Sequence, residues 1–158
     1  MKASQLRQLI EEVLIELRLN STNAVELLML TAAQESHLGH YLMQVNNGPA
    51  KGIFQMEPAT EKDIWENYLA YKEDLRKSVH SLMGAANFDH LQLKGNLLYQ
   101  IAMARIHYLR VYEKLPNHLD VMAMARYWKK YYNTYLGKGR VEDAMYNYRR
   151  LVYEEPKF

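Results

Sequence analysis

Apolar residues recur at helical spacing along most of the chain, with polar and charged residues between them. The first apolar stripe predicts an N-terminal helix, and its members are Leu6, Ile10, Val13, Leu14 and Leu17. The next stretch, from Val25 to Ala33, is apolar on nearly every side. This pattern predicts a buried central helix that ends at Glu35.

The start of the central helix and the loop after it also have sequence signals. Asn23 and Glu26 match a capping box, which places the start of the helix at Asn23. Glycine, proline and asparagine residues between His37 and Pro58 predict a long loop after the helix. Residues 52–56 within this loop favour a short strand.

The rest of the chain again follows the helical period. The remaining predicted helices cover residues 59–71, 72–84, 96–112, 117–133 and 141–155. The fourth of these begins after Pro116, with Asn117 as its cap. The elements predict a mainly α fold, with at most a small β element in the loop after the central helix. We expect a single domain over residues 1–158, with the helix of residues 1–20 packed on it.

Composition narrows the functional classes. The 158 residues are 49% apolar and lack cysteine, which fits one globular domain without disulfides or a zinc–cysteine site. Charges nearly balance, with 20 Lys and Arg against 18 Asp and Glu, and we interpret the basic residues of the second half as a solvated face. No stretch has the form of a signal peptide or a membrane span. We therefore expect synthesis in the cytoplasm and no membrane span or nucleic-acid partner; a helical nucleic-acid binder is a weaker alternative.

Glu35 is the first candidate for chemistry. A carboxylate at the end of an apolar helix is desolvated, and it also faces the partial negative charge of the helix C-terminus. Both effects raise its pKa, and a carboxyl group that stays protonated near neutral pH suits a general acid. For this residue considered alone, the alternative is an ordinary exposed glutamate at a helix end.

The loop after the central helix carries a compound motif. Glu35 is followed by Ser36, and residues 48–60 read GPAKGIFQMEPAT. Together these pieces resemble the soluble lytic transglycosylase and goose-type lysozyme family, in which Gly-Ala-x-Gly-Leu-Met-Gln-Ile-x-Pro is typical. The resemblance implies a lysozyme-like α-helical domain with Glu35 as the catalytic acid. It also implies a set of substrate-binding residues in this region, namely Ser36, Gly52, Ile53, Phe54 and Gln55.

Two of these positions match family residues with a specific task. Gly52 matches the glycine that lets the backbone approach the sugar, and Gln55 matches the glutamine that lines the cleft. The resemblance therefore implies that the loop brings both the backbone and an amide side chain to a glycan.

A third segment extends the resemblance to roughly residues 22–145. The family has Ala-x-Ala-Tyr-Asn-x-Gly-x-Gly-x-Val, and this chain has AMARY up to Tyr127, then Tyr132-Asn133 and GKGRV from residue 137. Because the spacing is stretched, either Tyr127 or Tyr132 matches the tyrosine that faces the catalytic acid. Asn133 matches the asparagine of the family motif, and all three residues are implied to bind substrate.

The resemblance implies a cofactor-free enzyme that cleaves the β-1,4-glycosidic bond between MurNAc and GlcNAc in peptidoglycan. It favours a lytic transglycosylase, in which Glu35 acts alone and the substrate's N-acetyl group assists in place of a second carboxylate. A muramidase that hydrolyses the bond would need a carboxylate to hold water. Glu57, Glu61 and Asp63 are the nearby candidates for that task.

The remaining expectations concern metals, partners and place of action. His37 and His40 have helical ligand spacing, but no third ligand follows, so we expect no metal site. A compact chain of this kind suggests a bacteriophage-encoded member that acts on glycan strands of the bacterial cell wall. Delivery in a virion or release at lysis is expected, with virion or lysis proteins as partners. A bacterial protein exported by a dedicated secretion system would have the same sequence features and stays open as an alternative origin. The alternative is a virion or assembly protein that keeps the lysozyme-like fold and binds glycan or partners without catalysis.

Overall fold

The predicted helical stripes form helices in the structure. The structure, a computed structural model, describes residues 1–84, 91–134 and 136–154, and the rest of the predicted domain lies outside the described residues. Its α-helices are α1 (Ala3–Glu16), α2 (Thr22–Ser36), α3 (Pro58–Asn67), α4 (Glu73–Met83), α5 (Leu91–Gly95), α6 (Leu97–Leu109), α7 (Val121–Trp128) and α8 (Val141–Tyr148). The prediction of a mainly α fold is confirmed.

Shorter helical turns extend or connect these elements. Residues Val45–Asn47 and Leu69–Tyr71 form single 3₁₀ turns. Helices α7 and α8 each continue into a π-helical turn, Lys129–Asn133 and Arg149–Tyr153 respectively. Because π-helical turns often occur at functional sites, the first of them marks the end of α7 as a region of interest.

Helix α2 is the centre of the core, as its all-round apolar pattern predicts. Eleven of its residues are buried, and it packs against α1, α6, α7 and α8. Helix α1 buries Leu6, Ile10, Val13 and Leu14 against α2 and α6. The buried apolar residues of these helices belong to one hydrophobic cluster. No helix in the described ranges combines the length and apolar content needed to cross a bilayer.

Both ends of α2 are fixed by local hydrogen bonds. The capping box prediction at Asn23 is wrong, because the Oγ of Ser21 accepts the hydrogen bond from the backbone N–H of Ala24. The side chain of Asn23 instead accepts from the backbone N–H of His118. Helix α2 ends where His37 adopts a left-handed conformation, at φ 50°. The chain therefore turns immediately after Glu35 and Ser36.

The loop after α2 contains less β structure than the sequence predicts. The predicted strand over residues 52–56 is absent from the described chain, which has only isolated antiparallel bridges here, Met43 with Lys51 and Lys51 with Met56. Gly52 and Gln55 have φ values of 78° and 47°, so the backbone turns where a strand would need to be extended. The result is a tight turn that packs against α5 and α6.

Helices α6 and α7 begin at capped residues. The side chain of Asn96 accepts a hydrogen bond from the backbone N–H of Tyr99, which agrees with the predicted start of this helix at residue 96. The predicted cap of α7 at Asn117 is wrong, since Asp120 accepts from the N–H of Ala123 and α7 begins at Val121. Helix α7 is therefore short, and Trp128 lies at its last position.

Candidate active site

An open groove lies where the loop after α2 meets the segment after α7. Its volume is about 770 Å³, within the usual range of ligand sites. The lining residues are Gln34, Glu35, Gln44, Val45, Asn46, Gly48, Ala50, Gln55, Met56, Glu57, Thr60, His107, Trp128, Tyr132, Asn133, Thr134, Leu136, Gly137, Lys138 and Gly139. Most are uncharged polar residues or small residues, so the groove offers amide and hydroxyl groups rather than a strong charge.

Glu35 lines this groove from the last turn of α2 and is partly buried. Burial raises the pKa of its carboxyl group to about 7, although a hydrogen bond from Trp128 and the charge of Lys129 partly oppose the increase. The group is therefore about half protonated at neutral pH. It can give up a proton or accept one at little cost, which is the property that a general acid/base needs.

Trp128 orients the carboxyl group of Glu35. Its indole Nε1–H donates a hydrogen bond to Oε1 of Glu35 at 2.8 Å, and the indole ring itself is fully buried. Because Oε1 accepts this bond, Oε2 is the oxygen left to carry a proton. The contact therefore fixes which oxygen of the carboxyl group acts as the donor.

The segment after α7 packs directly over the indole. A Cβ atom added to Gly139 would lie 2.5 Å from Cη2 of Trp128, so only glycine fits there without a shift. Lys129 ties the same segment together, since its Nζ donates to Oδ1 of Asn133 and to the carbonyl of Gly137, each at 2.7 Å. The segment thus holds Trp128 in place while it forms part of the groove.

The structure separates the two candidate tyrosines. The hydroxyl of Tyr132 lies on the groove and donates to the carbonyl of Phe54 at 2.8 Å. Burial and the nearby Glu35 carboxylate raise the pKa of Tyr132 well above its ordinary value. Tyr127 instead donates to the carbonyl of Glu113 and borders a separate cavity of about 290 Å³. The expectation that Tyr127 binds substrate in this groove is therefore corrected, whereas Tyr132 and Asn133 both line the groove.

Among the predicted loop residues, Gln55 lines the groove, but three others lie in the core. Ser36 is fully buried and Ile53 and Phe54 are each only 1% exposed, so their side chains cannot contact a bound ligand directly. This corrects the expectation that they bind substrate. Gln55 donates from its amide to the carbonyl of Gly52 at 2.8 Å, which holds its side chain against the turn.

Ser36 stabilises the turn at residues 52–55 through a buried hydrogen bond. Its Oγ donates to the carbonyl of Ile53 at 2.6 Å and accepts from the N–H of Gly39 at 2.8 Å. The N–H of Ile53 in turn donates to Oε1 of Gln100 on α6 at 2.7 Å. Both backbone groups of Ile53 are therefore satisfied within the core, which anchors the turn that presents Gln55.

Gly52 has a different task from the one the resemblance implies. It is buried, has a φ of 78°, and a Cβ atom there would lie 2.2 Å from the carbonyl oxygen of Leu93 and 2.4 Å from Oε1 of Gln100. The close approach is to the protein's own helices. Gly52 therefore lets the turn pack on α5 and α6, and it does not border the groove.

The carboxylates that could hold a water molecule also differ in position. Glu57 is exposed and lines the groove. Glu61 is fully buried and accepts a hydrogen bond from the hydroxyl of Tyr99 at 2.6 Å. Asp63 pairs with Arg110 at 2.5 Å. Within the described residues, Glu57 is thus the second carboxylate of the groove lining, and Glu61 and Asp63 are engaged in other contacts.

Trp128 and His107 also line the groove, although neither is one of the substrate-binding residues that the resemblance implies. Trp128 directly follows the AMARY segment, but a tryptophan next to a tyrosine equally fits core packing. His107 lies in the middle of an apolar helix with no motif around it. In the described part of the chain, no three His, Asp or Glu side chains are grouped as metal ligands.

Comparisons with known proteins do not add a family. The chain matches no protein-family model, no curated protein and no solved structure. The functional argument therefore rests on the groove and on the chemistry of its side chains.

Proposed function

We propose that the protein is a peptidoglycan-degrading enzyme that cleaves the β-1,4-glycosidic bond between MurNAc and GlcNAc, as a lytic transglycosylase of lysozyme-like fold. The observation that carries this proposal is Glu35, a carboxyl group with a pKa of about 7 on an open groove. The motif resemblance around Glu35 supports the choice of a glycan as substrate.

In the proposed reaction, Glu35 transfers the proton of Oε2 to the glycosidic oxygen, and the bond from that oxygen to C1 breaks. The oxygen of the substrate's own acetamido group attacks C1 and stabilises the positive charge that develops there. Glu35, now ionised, removes the proton of the C6 hydroxyl. The C6 oxygen then bonds to C1, the acetamido group is released, and a 1,6-anhydromuramic end forms without consumption of water. Glu35 is protonated again, ready for the next cycle.

The charge inventory of the groove favours this path over hydrolysis by two carboxylates. Glu35 combines a raised pKa with a fixed orientation, whereas Glu57 is exposed. An exposed carboxylate is mobile and well hydrated, so it is a weak support for a positioned water molecule. Assistance by the substrate removes the need for a second oriented carboxylate.

The other groove residues suit a neutral, polar polymer. Amide groups are supplied by Gln44, Gln55 and Asn133, and a hydroxyl by Thr60. Such groups both donate and accept hydrogen bonds, which matches the hydroxyl and acetamido groups of a sugar. Tyr132 adds an aromatic surface beside Glu35, against which the apolar face of a pyranose can pack.

The proposed place of action is the bacterial cell wall. We propose delivery by a bacteriophage, either in the virion or as part of lysis, with virion or lysis proteins as partners. The small helical domain and the resemblance of the Glu35 and Gln55 motifs to wall-cleaving enzymes support this proposal. Release of dye-labelled fragments from purified sacculi is the direct assay.

Three proteins should be compared in that assay: wild type, Glu35→Gln and Glu57→Gln. We expect wild type and Glu57→Gln to release fragments at similar rates, and Glu35→Gln to lose at least a thousandfold because the proton donor is removed. All three should sediment with sacculi. A folded wild type that sediments but releases nothing would refute catalysis and favour the alternative of a glycan-binding virion protein.

A further inference from the structure

His107 of α6 is held on the groove by two hydrogen bonds that define its tautomer. Its Nε2 lies 3.1 Å from the carbonyl oxygen of Tyr131, which can only accept, so Nε2 carries the proton. Its Nδ1 lies 2.9 Å from Nη2 of Arg110, which can only donate, so Nδ1 is the acceptor. The imidazole is therefore neutral, with both nitrogens in use, and it is not free to act as a base on a substrate.

Arg110 connects this imidazole to a third element. Its Nη1 bonds Oδ2 of Asp63 on α3 at 2.5 Å, while its Nη2 bonds His107. Asp63 also accepts from the side-chain amide of Asn67 at 2.7 Å. The chain from Asp63 through Arg110 to His107 thus ties α3 and α6 to the π-helical turn at Tyr131.

Tyr132, which lines the groove, directly follows Tyr131 in the π-helical turn. The rings of His107 and Tyr132 meet edge to face, with centroids 4.9 Å apart and planes at 89°. Tyr132 also packs against Tyr108, the next residue of α6, at a centroid distance of 5.3 Å. Its hydroxyl is fixed on the carbonyl of Phe54. Tyr132 is therefore held between α6 and the loop after α2, and the ring of His107 makes one of the contacts that hold it.

We infer that His107 is a positioning residue, which holds the ring of Tyr132 in the groove while the imidazole is neutral and releases it when the imidazole is protonated. A proton on Nδ1 would replace the acceptor of Arg110 with a second donor and would place two cations in contact. The hydrogen bond to Arg110 would then break, and the edge-to-face contact with Tyr132 would loosen. This inference rests on the proposed function only where activity is the measured quantity.

The groups around His107 determine when this change occurs. Burial, together with the charge of Arg110, lowers its pKa to about 4, although the hydrogen bond to the Tyr131 carbonyl and the charge of Asp63 partly oppose the decrease. These groups come from α6, α3 and the π-helical turn; Tyr108 and Tyr132 also face the imidazole and stay neutral in this range. The contacts of His107 with Arg110 and Tyr132 are therefore kept at pH 5 to 7 and lost below about pH 4.

The first test is the pH dependence of fragment release from sacculi. Wild-type activity should fall about fourfold between pH 5.5 and pH 3.5, following the neutral fraction of His107. His107→Phe keeps a ring against Tyr132 but cannot be protonated, so its activity should change by less than about 1.5-fold over that interval. His107→Ala removes the ring, and its kcat/KM at pH 5.5 should fall about tenfold below that of His107→Phe.

His40→Phe is the matched control for this test. His40 and Tyr41 also form an edge-to-face pair, with centroids 4.7 Å apart, but neither lines the groove. This variant should keep both the wild-type activity and its decrease at low pH. If His107→Phe shows the same fourfold decrease as wild type, the role of His107 in that decrease is refuted.

The second test does not depend on catalysis. Nuclear magnetic resonance of the wild-type protein, labelled at histidine and tyrosine, should show His107 and the ring of Tyr132 titrating together at one midpoint. Arg110→Met should raise both midpoints, because the charge that lowers the pKa of His107 is removed. Separate midpoints, or an Arg110→Met midpoint equal to wild type, would overturn the inference. Shared midpoints in a protein that leaves sacculi intact would refute the proposed function alone.

Discussion

The indole of Trp128 donates a hydrogen bond to Oε1 of Glu35 at 2.8 Å, joining residues 93 positions apart in the sequence. This bond favours the ionised carboxylate, so it restrains the increase in pKa that burial causes. Trp128→Phe removes the donor and keeps an aromatic ring. We expect the pKa of Glu35 to rise by about one unit and the alkaline limit of activity to move with it.

Trp65→Phe is the control for this prediction. The Nε1–H of Trp65 donates to the hydroxyl of Tyr99 at 2.8 Å, and neither residue lines the groove. Both variants lose an indole hydrogen bond, but only Trp128→Phe should shift the pH–rate profile. An unchanged alkaline limit in folded Trp128→Phe would show that this bond does not tune Glu35.

Glu35 should also make stability depend on pH. Its pKa is about 7 in the folded protein and 4.5 in the reference state, so the folded state binds the proton more tightly. Its contribution is favourable below about pH 4.5, and the free energy of unfolding decreases as pH rises from there to about 7. Glu35→Gln removes this effect. The variant should match wild type at pH 4 and exceed it by up to about 3 kcal/mol at pH 8, measured by urea denaturation.

The stability difference between Glu35→Gln and wild type shows whether the Glu35 carboxyl group is buried or only lies at the groove in contact with solvent. A variant that loses activity but shows the same pH dependence of unfolding as wild type would mean that Glu35 is solvated and has an ordinary pKa. Glu57→Gln, at an exposed residue of the same groove, should leave the pH dependence unchanged.

Gly139→Ala should impair the site through the tryptophan. The new methyl group would lie 2.5 Å from Cη2 of Trp128, so the indole must shift and its bond to Glu35 must lengthen. We expect at least a tenfold loss of activity with a destabilisation of about 1–3 kcal/mol. Gly95→Ala is the control, because nothing lies within 4 Å of its added Cβ atom.

A double-mutant cycle makes the cause explicit. In Trp128→Phe the smaller ring leaves room for the methyl group, so adding Gly139→Ala should cost little more activity. If the two losses simply multiply, the effect of Gly139→Ala does not pass through the indole.

Gly52→Ala should be a folding mutation. The added Cβ atom meets backbone and side-chain oxygens of α5 and α6 at 2.2 and 2.4 Å, and the φ of 78° is itself strained for alanine. We expect a destabilisation of about 3 kcal/mol or more by urea denaturation. Gly84→Ala has a similar φ of 65° with open space around it, so it should cost only about 1 kcal/mol. Equal costs would mean that the close packing of the turn is unimportant.

The sequence predicts the parts of this protein that depend on local pattern. The apolar stripe of α1 and the all-round apolar surface of α2 correctly predict two helices and their burial. Helix starts are predicted less well, because Ser21, Asn23, Asn117 and Asp120 are all competent caps. Which of them is used depends on tertiary contacts, such as the bond between Asn23 and His118.

Site residues whose role depends on distant contacts could not be assigned from the sequence. The spacing of Tyr127 and Tyr132 left both open, and only the path of α7 into its π-helical turn places Tyr132 on the groove. Gly52 fits a motif for ligand approach, yet the atoms it approaches belong to Leu93 and Gln100. A motif predicts that the backbone must come close to something, and the fold determines to what.

The most direct test of the account is mass spectrometry of purified peptidoglycan digested by wild type and by Glu35→Gln. We predict fragments with 1,6-anhydromuramic ends from wild type and none from Glu35→Gln. These fragments are 18 Da lighter than hydrolysis products, because no water is added. Reducing-end fragments would contradict the transglycosylase mechanism. Anhydro ends from folded Glu35→Gln would contradict the central claim that Glu35 is the catalytic acid.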